Sequence, residues 1–213
     1  MGSSNSQLES FRKALLSNGA DYGVTLSQDN VAGLAEYSDL LNTWNPRLHL
    51  VAPCSPQEFA ERHILESLLL LQHLPQAARI ADIGSGGGLP IVPCLIVRPD
   101  ISATIIESSK KKAVFLSEAL RFAGRSDSSK VIAERFERIA PPNVEFISCR
   151  ALERFADQLP AIIKWSPPGS TMMFFGGVGL GDAMKEAGLE ITEIKIPNSE
   201  RRFLFLADSL LDD

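Results

Sequence analysis

The chain has 213 residues, enough for one α/β domain with an extension, and 45% of them are hydrophobic, as in an ordinary globular protein. A net charge of −5 argues against a protein that coats nucleic acid non-specifically. No apolar run approaches the roughly 18 residues of a membrane span, and the first residues lack the basic start and apolar core of a signal peptide. The cysteines have no zinc or redox spacing. We therefore expect a cytoplasmic protein without membrane or metal.

Amphipathic helices are predicted first. Their apolar residues recur at helical spacing over residues 7–16, 27–44 and 57–74. Asn45-Pro46 is expected to end the second helix. Three helices that are acidic as a group are too few to indicate a separate nucleic-acid module, so we expect a cap that packs on the rest of the chain. This divides a single domain, residues 1–213, into an N-terminal helical cap at 1–76 and a cofactor-binding α/β core at 77–213.

Strands and helices alternate in the rest of the chain. Strands are predicted at 80–83, 102–106, 130–133, 144–148 and 170–175, and helices at 89–97, 111–123, 152–164 and 182–187. A closing antiparallel pair is predicted at 191–196 and 202–207. This order predicts an α/β fold with a doubly wound, mostly parallel, Rossmann-like sheet.

A glycine-rich turn follows the first predicted strand. Gly84, Gly86 and Gly88 alternate between Asp82 and a helix that begins near Leu89. Such a turn lets a ligand approach the backbone, and the helix N-terminus offers free N–H groups. The dinucleotide fingerprint G-x-G-x-x-G is broken, because Leu89 stands where the third glycine belongs. A tight turn without a ligand is the alternative, although three such glycines lower stability unless something uses the space.

Two further side chains are predicted at the same edge of the sheet. Glu107 follows the second strand, where a carboxylate can accept hydrogen bonds from the ribose hydroxyls of a nucleotide-type cofactor, NAD included. The alternative role of Glu107 is that of a solvated acid beside Lys110–Lys112. Arg150 follows the fourth predicted strand and is expected to point at a cofactor or substrate, with an ordinary surface arginine as the alternative.

Charge is distributed unevenly along the chain. Residues 107–150 contain nine Lys or Arg against six Asp or Glu, whereas residues 1–80 contain five against eight. A local basic face can bind RNA while the whole protein stays acidic. An ordinary mixed surface is the alternative.

Several stretches together resemble one branch of the S-adenosylmethionine-dependent methyltransferases, the glucose-inhibited division protein B (GidB/RsmG) family. That family methylates N7 of a guanine in small-subunit (16S) ribosomal RNA. The stretches occur in family order from about residue 34 to residue 207, and include 44–51 (WNPRLHLV), 62–67 (RHILES), 82–90 (DIGSGGGLP), 96–99 (IVRP), 107–116, 135–137 (RFE), 148–151 (SCRA) and 200–201 (ER). RHILES and the Gly-Leu-Pro stretch are distinctive, whereas the glycine motif is common to many methyltransferases.

The resemblance implies a set of site residues. S-adenosylmethionine contacts are implied, through the methionine end, the ribose or the adenine, at Asp82, Gly84, Gly86, Gly88, Leu89, Glu107, Phe136, Glu137 and Arg150. Arg150 also matches an arginine on the target-base side, and is the implied catalytic residue. RNA contacts are implied at Arg62, His63 and Arg201, although a lone histidine on a helix is more often structural.

The sequence departs from the family pattern at two positions. Phe175-Gly176 stands where the family usually has a lysine before a glycine, which indicates shifted RNA contacts or weak or retargeted activity. Glu107 stands where many relatives have Asp.

N7 of guanine carries a lone pair and no proton, so attack on the methyl group needs alignment rather than a general base. The absence of an obvious base is therefore expected.

Four functions remain open from the sequence. The first is the ribosomal RNA methyltransferase, with ribosomal RNA or the small subunit as partner. The others are a methyltransferase for another substrate, a nicotinamide-dependent oxidoreductase, and a cofactor-binding relative with reduced or no activity. The broken glycine fingerprint and the lack of a recognisable proton donor count against the oxidoreductase. The sequence does not define which guanine is methylated, whether RNA or a particle is the substrate, or the oligomeric state.

Overall fold

The structure of the protein, a computed structural model, describes residues 2–150 and 155–209. Its centre is a seven-stranded sheet in the order β3-β2-β1-β4-β5-β7-β6. The strands are β1 Arg79–Ile83, β2 Ser102–Ile106, β3 Lys130–Ile132, β4 Phe146–Arg150, β5 Thr171–Gly176, β6 Thr192–Lys195 and β7 Phe203–Asp208. The first five strands are parallel, and β7 runs antiparallel to both of its neighbours. The predicted doubly wound, Rossmann-like sheet is confirmed.

Side chains alternate between the two faces of the sheet, as the two-residue period of a strand requires. Ile80 and Ile105 pack into a hydrophobic cluster on the cap side, whereas Ala81 and Ile106 pack into a cluster on the opposite face. Burial on both faces explains why the strands have near-continuous apolar sequences. Asp82 follows this alternation and is fully buried, which makes it a polar exception in the sheet.

Helices cover both faces. They are α1 Gly2–Asn18, α2 Gln28–Leu48, α3 Pro56–Phe59, α4 Glu66–Leu68, α5 Ile91–Val97, α6 Lys110–Phe122, α7 Phe155–Trp165 and α8 Val178–Glu186. On the cap side α2 packs against α5 and α6, and on the other face α7 packs against α8. Within the described residues, no helix is both long and apolar enough to cross a membrane.

The third cap helix, residues 56–73, is irregular. It begins at α3, where Ser55 caps the N-terminus by accepting a hydrogen bond from Glu58 N at 3.1 Å. It then passes through a π-helical turn at Ala60–Leu65, α4, and a 3₁₀ turn at Leu69–His73. A π-helical turn shifts the backbone pairing by one residue and frequently marks a functional site.

Several boundaries differ from the sequence prediction. The helix α2 continues past Asn45-Pro46 to Leu48, because Asn45 Oδ1 accepts hydrogen bonds from Leu50 N and Val51 N and secures the chain beyond the proline. The strand β4 begins and ends two residues later than predicted, so Arg150 is its last residue rather than a loop residue. The predicted start of the helix at 152 lies outside the described residues.

Candidate cofactor and substrate crevice

A crevice of about 740 Å³ lies at the carboxyl ends of the strands, between the sheet and the cap. Ligands bind at this edge in doubly wound sheets. The lining combines the glycine turn with charged residues of the cap and sheet, and includes Leu50, Arg62, His63, Glu66, Gly84, Ser85, Gly86, Gly87, Leu89, Glu107, Lys112, Arg150, Phe175 and Arg202. A groove of similar size, about 760 Å³, lies between α1 and α2 but contains none of the predicted site residues. The crevice is therefore the candidate site.

The glycine turn forms one wall of the crevice. Its first residue is held to β2, since Gly84 N donates to Ile106 O at 2.8 Å. Gly86 has φ +53°, a left-handed conformation that favours glycine. A Cβ atom at Gly86 would have only Gly84 O near it, at 3.8 Å, so this position opens towards the crevice. At Gly88 a Cβ atom would lie 2.7 Å from Val92, so that glycine packs against α5 instead.

Asp82 lies beneath the turn rather than in the lining. Pairing of β1 with β4 places it beside Ser148, whose Oγ donates to Asp82 Oδ1 at 2.5 Å, and Ser85 Oγ donates to the other oxygen. Burial raises the pKa of Asp82 to about 7, against the opposing effect of the two hydroxyls. Asp82 is therefore an internal support of the turn.

Asp82→Asn should change how stability depends on pH. Because the pKa in the folded state is raised above the unfolded value, the protonated carboxyl favours folding below about pH 4, and this contribution is lost as pH rises through about 7. The free energy of unfolding of the parent should fall relative to that of Asp82→Asn over this range, by at most about 4 kcal/mol at about 1.4 kcal/mol per pKa unit. Urea unfolding from pH 4 to 8 measures the difference. A pH-independent difference would show that Asp82 does not titrate in this range.

Glu107 connects the glycine turn to α6. Its Oε2 accepts from Gly86 N at 2.9 Å and its Oε1 accepts from Ser109 N at 2.7 Å. The residue is buried but lines the crevice, and an ionised carboxylate has lone pairs for about four hydrogen bonds. The two remaining acceptor sites are those that ribose hydroxyls would need. The solvated-acid alternative does not describe this geometry.

Arg150 joins the end of β4 to the third cap helix. Its Nη2 donates to Arg62 O at 2.5 Å and to Glu66 Oε2 at 3.2 Å, and its Nη1 donates to Ser67 Oγ at 3.2 Å. The carbonyl of Arg62 belongs to the π-helical turn, so the guanidinium satisfies an acceptor that an irregular helix offers. Only 13% of the Arg150 side chain is exposed. It is a buried clamp at the back of the crevice, not a surface arginine.

Phe175 lies beside this clamp. The Arg150 guanidinium carbon is 5.6 Å from the centre of the Phe175 ring, within the range of a cation–π interaction. The ring is 4% exposed, and its position on β5 is the one at which the resemblance implied a lysine. A lysine there would face the Arg150 cation, whereas phenylalanine stabilises it.

Glu66 and Arg202 are crevice residues that the sequence analysis missed. The side chain of Glu66 is 2% exposed and pairs with two arginines, Arg150 through Oε2 and Arg202 through Oε1. Burial raises the pKa of Glu66, and the two guanidinium groups oppose that rise. The only sequence signal was the position of Glu66 in the RHILES stretch, and nothing local distinguished Arg202 from Arg201.

His63 also lines the crevice, next to the Phe59 ring at a centroid distance of 5.3 Å. Burial and the nearby charges of Arg150 and Arg62 lower the pKa of His63 to about 4. The imidazole is therefore neutral near pH 7 and a weak base. Arg62 projects outward and forms an exposed ion pair with Glu58 at 2.5 Å.

The predicted site residues divide into those that line the crevice and those that do not. The crevice lining brings together Gly84, Gly86, Leu89, Glu107, Arg150, Arg62 and His63. Asp82 lies beneath the turn, Gly88 belongs to the turn but faces α5, and three others lie elsewhere. Phe136 packs edge-on against Trp165, Glu137 pairs with Arg135 at 2.9 Å, and Arg201 is exposed next to the crevice residue Arg202.

The lining fits an adenosyl cofactor. It offers a turn without side chains at Gly84, Gly86 and Gly87, a carboxylate with free lone pairs at Glu107, and a volume within the roughly 300–1,000 Å³ of small-molecule sites. Within the described residues, no group of three or more His, Cys, Asp or Glu side chains is placed to hold a metal ion. Fold and site together define a Rossmann-like methyltransferase that uses S-adenosylmethionine.

Comparison with known proteins identifies the branch. Residues 30–197 match the family described as rRNA small subunit methyltransferase G, and the chain belongs to that family. This confirms the resemblance, the enzyme class and the cofactor predicted from the sequence.

Curated relatives and a solved structure agree. The chain is 34% identical to the ribosomal RNA small subunit methyltransferase G of Sorangium cellulosum over 79% of this chain and 73% of that protein. It is 33% identical to the protein of that name from Neisseria meningitidis serogroup C over 69% of each chain. The fold is similar to a SAM-dependent methyltransferase from Aquifex aeolicus, with a TM-score of 0.57, 15% identity, and coverage of 82% of this chain and 98% of that chain.

Proposed function

We propose that the enzyme transfers a methyl group to N7 of a guanine in small-subunit (16S) ribosomal RNA. The observation that carries this proposal is the crevice, whose described lining residues include cations and offer no available general base, in a chain that belongs to the methyltransferase family. Ribosomal RNA as substrate also implies a cytoplasmic enzyme. We treat the cap and the core as one domain, because a single hydrophobic cluster includes Leu34 and Leu68 of the cap and Ile80 of β1.

Among the described lining residues, two glutamates and one histidine are the candidate general bases, and each is engaged or weakly basic. Glu66 is paired with two arginines, Glu107 holds two backbone N–H groups and keeps its other lone pairs for the ribose hydroxyls, and the pKa of His63 is lowered to about 4. An amine, hydroxyl or carbon acceptor must lose a proton during methylation and gains from a positioned base. N7 of guanine has no proton to lose. The lining therefore favours an acceptor of this kind.

The charge of the crevice suits RNA. The described lining holds four cations, Arg62, Lys112, Arg150 and Arg202, against two carboxylates, and Arg62 also pairs with the exposed Glu58 outside the crevice. Lys112 belongs to a run of three lysines in the first turn of α6, where the helix dipole disfavours cations and no acidic residue is present. Positive charge placed against the dipole at the mouth of a crevice supports binding of a polyanion.

The proposed roles of the residues follow from their places. Gly84, Gly86, Leu89 and Glu107 hold the cofactor, which supplies an activated methyl group when bound. The RNA-side roles of Arg62, His63 and Arg201, the adenine-side roles of Phe136 and Glu137, and the catalytic role of Arg150 remain proposals. Alignment of the acceptor nitrogen with the methyl group is then the main contribution, worth up to about 7–11 kcal/mol.

A labelled methyl-transfer assay tests the proposal. With tritiated S-adenosylmethionine, we expect incorporation into deproteinised small-subunit RNA or into small-subunit particles, and cleavage chemistry specific for N7-methylguanine should locate one modified guanine. Transfer-RNA and large-subunit RNA serve as matched controls and should accept little label. Label at another atom, or on small molecules alone, would favour the second function, a methyltransferase for a different substrate.

A further inference from the structure

Arg202 is held in a fixed orientation at the rim of the crevice. It directly precedes β7, and its side chain is 32% exposed. Its Nη1 donates to Glu66 Oε1, and its Nε donates to Ser199 Oγ at 3.1 Å. Ser199 Oγ also accepts from Arg202 N at 3.2 Å. Within residues 2–150 and 155–209, no group accepts a hydrogen bond from Nη2, so one edge of an oriented guanidinium remains available.

The charges around Glu66 do not balance. Glu66 is a single buried carboxylate shared by Arg150 and Arg202, and the other acceptors of Arg150 are neutral: two backbone carbonyls and the Ser67 hydroxyl. Among the described residues, these contacts leave one positive charge without an anion at the crevice wall. A cation that is partly withdrawn from water is costly unless it is paired. A bound ligand anion would supply that partner.

The sheet order indicates which anion this is. Arg202 lies beyond the end of β5, because Gly176 pairs with Phe203 in the β5–β7 register. Three strand spacings, of about 4.8 Å each, separate β7 from β1 and its glycine turn, which is about 14 Å. The cofactor's own carboxylate would lie near the turn. An anion at Arg202 is then on the substrate side, and a guanidinium fork suits the paired oxygens of a phosphate.

We propose that Arg202, oriented by Glu66 and Ser199, binds a backbone phosphate of the RNA strand next to the target guanine. The proposal rests on the proposed function, because the phosphate belongs to that substrate. Arg202 is then a substrate-binding residue and Glu66 is a positioning residue. The exposed neighbour Arg201, which the resemblance implied, has no such anchoring contact among the described side-chain hydrogen bonds.

The test compares Arg202→Ala, Arg202→Lys and Arg201→Ala across a salt series, with Arg79→Ala as control. Arg79 also pairs with a glutamate, Glu145, but lies at the opposite ends of the strands. Binding of a small-subunit RNA fragment is measured by fluorescence anisotropy, and cofactor affinity by calorimetry. We expect Arg202→Ala to weaken RNA binding about ten-fold. The slope of log K against log salt should decrease in magnitude by about one, the value of one phosphate contact.

The remaining outcomes separate this subsite from the proposed function. Arg202→Lys should recover part of the affinity and the slope, Arg201→Ala should lose less than Arg202→Ala, and Arg79→Ala should match the parent. Cofactor affinity should stay within two-fold of the parent value throughout. An unchanged salt slope in Arg202→Ala overturns the phosphate subsite, even if the parent methylates N7. If Arg202→Ala loses cofactor affinity while the salt slope is unchanged, the anion is the cofactor carboxylate, and the phosphate subsite is again overturned. A parent that binds RNA but methylates another atom refutes the proposed function alone, and one that binds no RNA refutes both.

Discussion

The Gly86→Leu enzyme should lose S-adenosylmethionine binding by about a hundred-fold or more while remaining folded. A Cβ atom at Gly86 meets only Gly84 O at 3.8 Å, so a leucine side chain would extend into the crevice, where the cofactor is expected. The left-handed backbone at φ +53° costs a non-glycine residue about 1–2 kcal/mol, less than the usual stability of a domain. Calorimetry with the cofactor and urea unfolding measure the two effects, and a hundred-fold loss corresponds to about 3 kcal/mol of binding free energy.

Gly88→Leu is the matched control in the same turn. Its Cβ atom would lie 2.7 Å from Val92 Cγ2 and 3.3 Å from both Leu116 Cδ2 and Tyr37 Oη, inside the packed face of the cap side. We expect Gly88→Leu to lower the free energy of unfolding more than Gly86→Leu does, because its side chain would enter a packed region with no open space. Cofactor binding by Gly86→Leu at the parent affinity would show that the methionine end of the cofactor binds elsewhere.

The fold was predictable because its signals are local. Alternation of strand and helix patterns predicted the parallel sheet, and the two apolar runs near the end predicted the antiparallel β6–β7 pair. The end of α2 was not predictable from Asn45-Pro46, since the continuation depends on the Asn45 side chain binding residues 50 and 51. The irregular helix at 56–73 was likewise invisible, because a π-helical turn leaves no signature in apolar spacing.

The site was predictable only where motif and position coincide. The glycine turn and Glu107 lie where the strand ends place them. The resemblance implies that Asp82 contacts the methionine end of the cofactor, directly or through water, and strand register places it beneath the turn, where Ser85 and Ser148 donate to it. Glu66 and Arg202 are 136 residues apart, so their ion pair depends on the docking of the cap on the sheet, which a single sequence does not encode as a pattern.

Arg150→Ala should destabilise the protein by about 3–5 kcal/mol, because acceptors on the third cap helix lose their charged donor, at about 1–3 kcal/mol for each group left unsatisfied. The change removes a donor from the Arg62 and His63 carbonyls and from Ser67, and leaves Glu66 with Arg202 alone. Because these acceptors belong to the third cap helix, the cap should separate from the sheet more readily. The free energy of unfolding in urea, measured with and without S-adenosylmethionine, gives the effect.

Arg150→Lys is the conservative control. It keeps the charge, but a single ammonium lacks the planar fork that reaches acceptors on both sides of Glu66, so we expect an intermediate loss of stability. If Arg150 acts mainly as this clamp, its loss should raise the activation free energy of turnover by less than it lowers the free energy of unfolding, measured at a temperature where both variants stay folded. The Km for RNA should rise, and cofactor affinity should stay nearly intact. Parent-like unfolding together with lost turnover in Arg150→Ala would instead assign Arg150 a direct contact with the reacting groups, as the family resemblance implies.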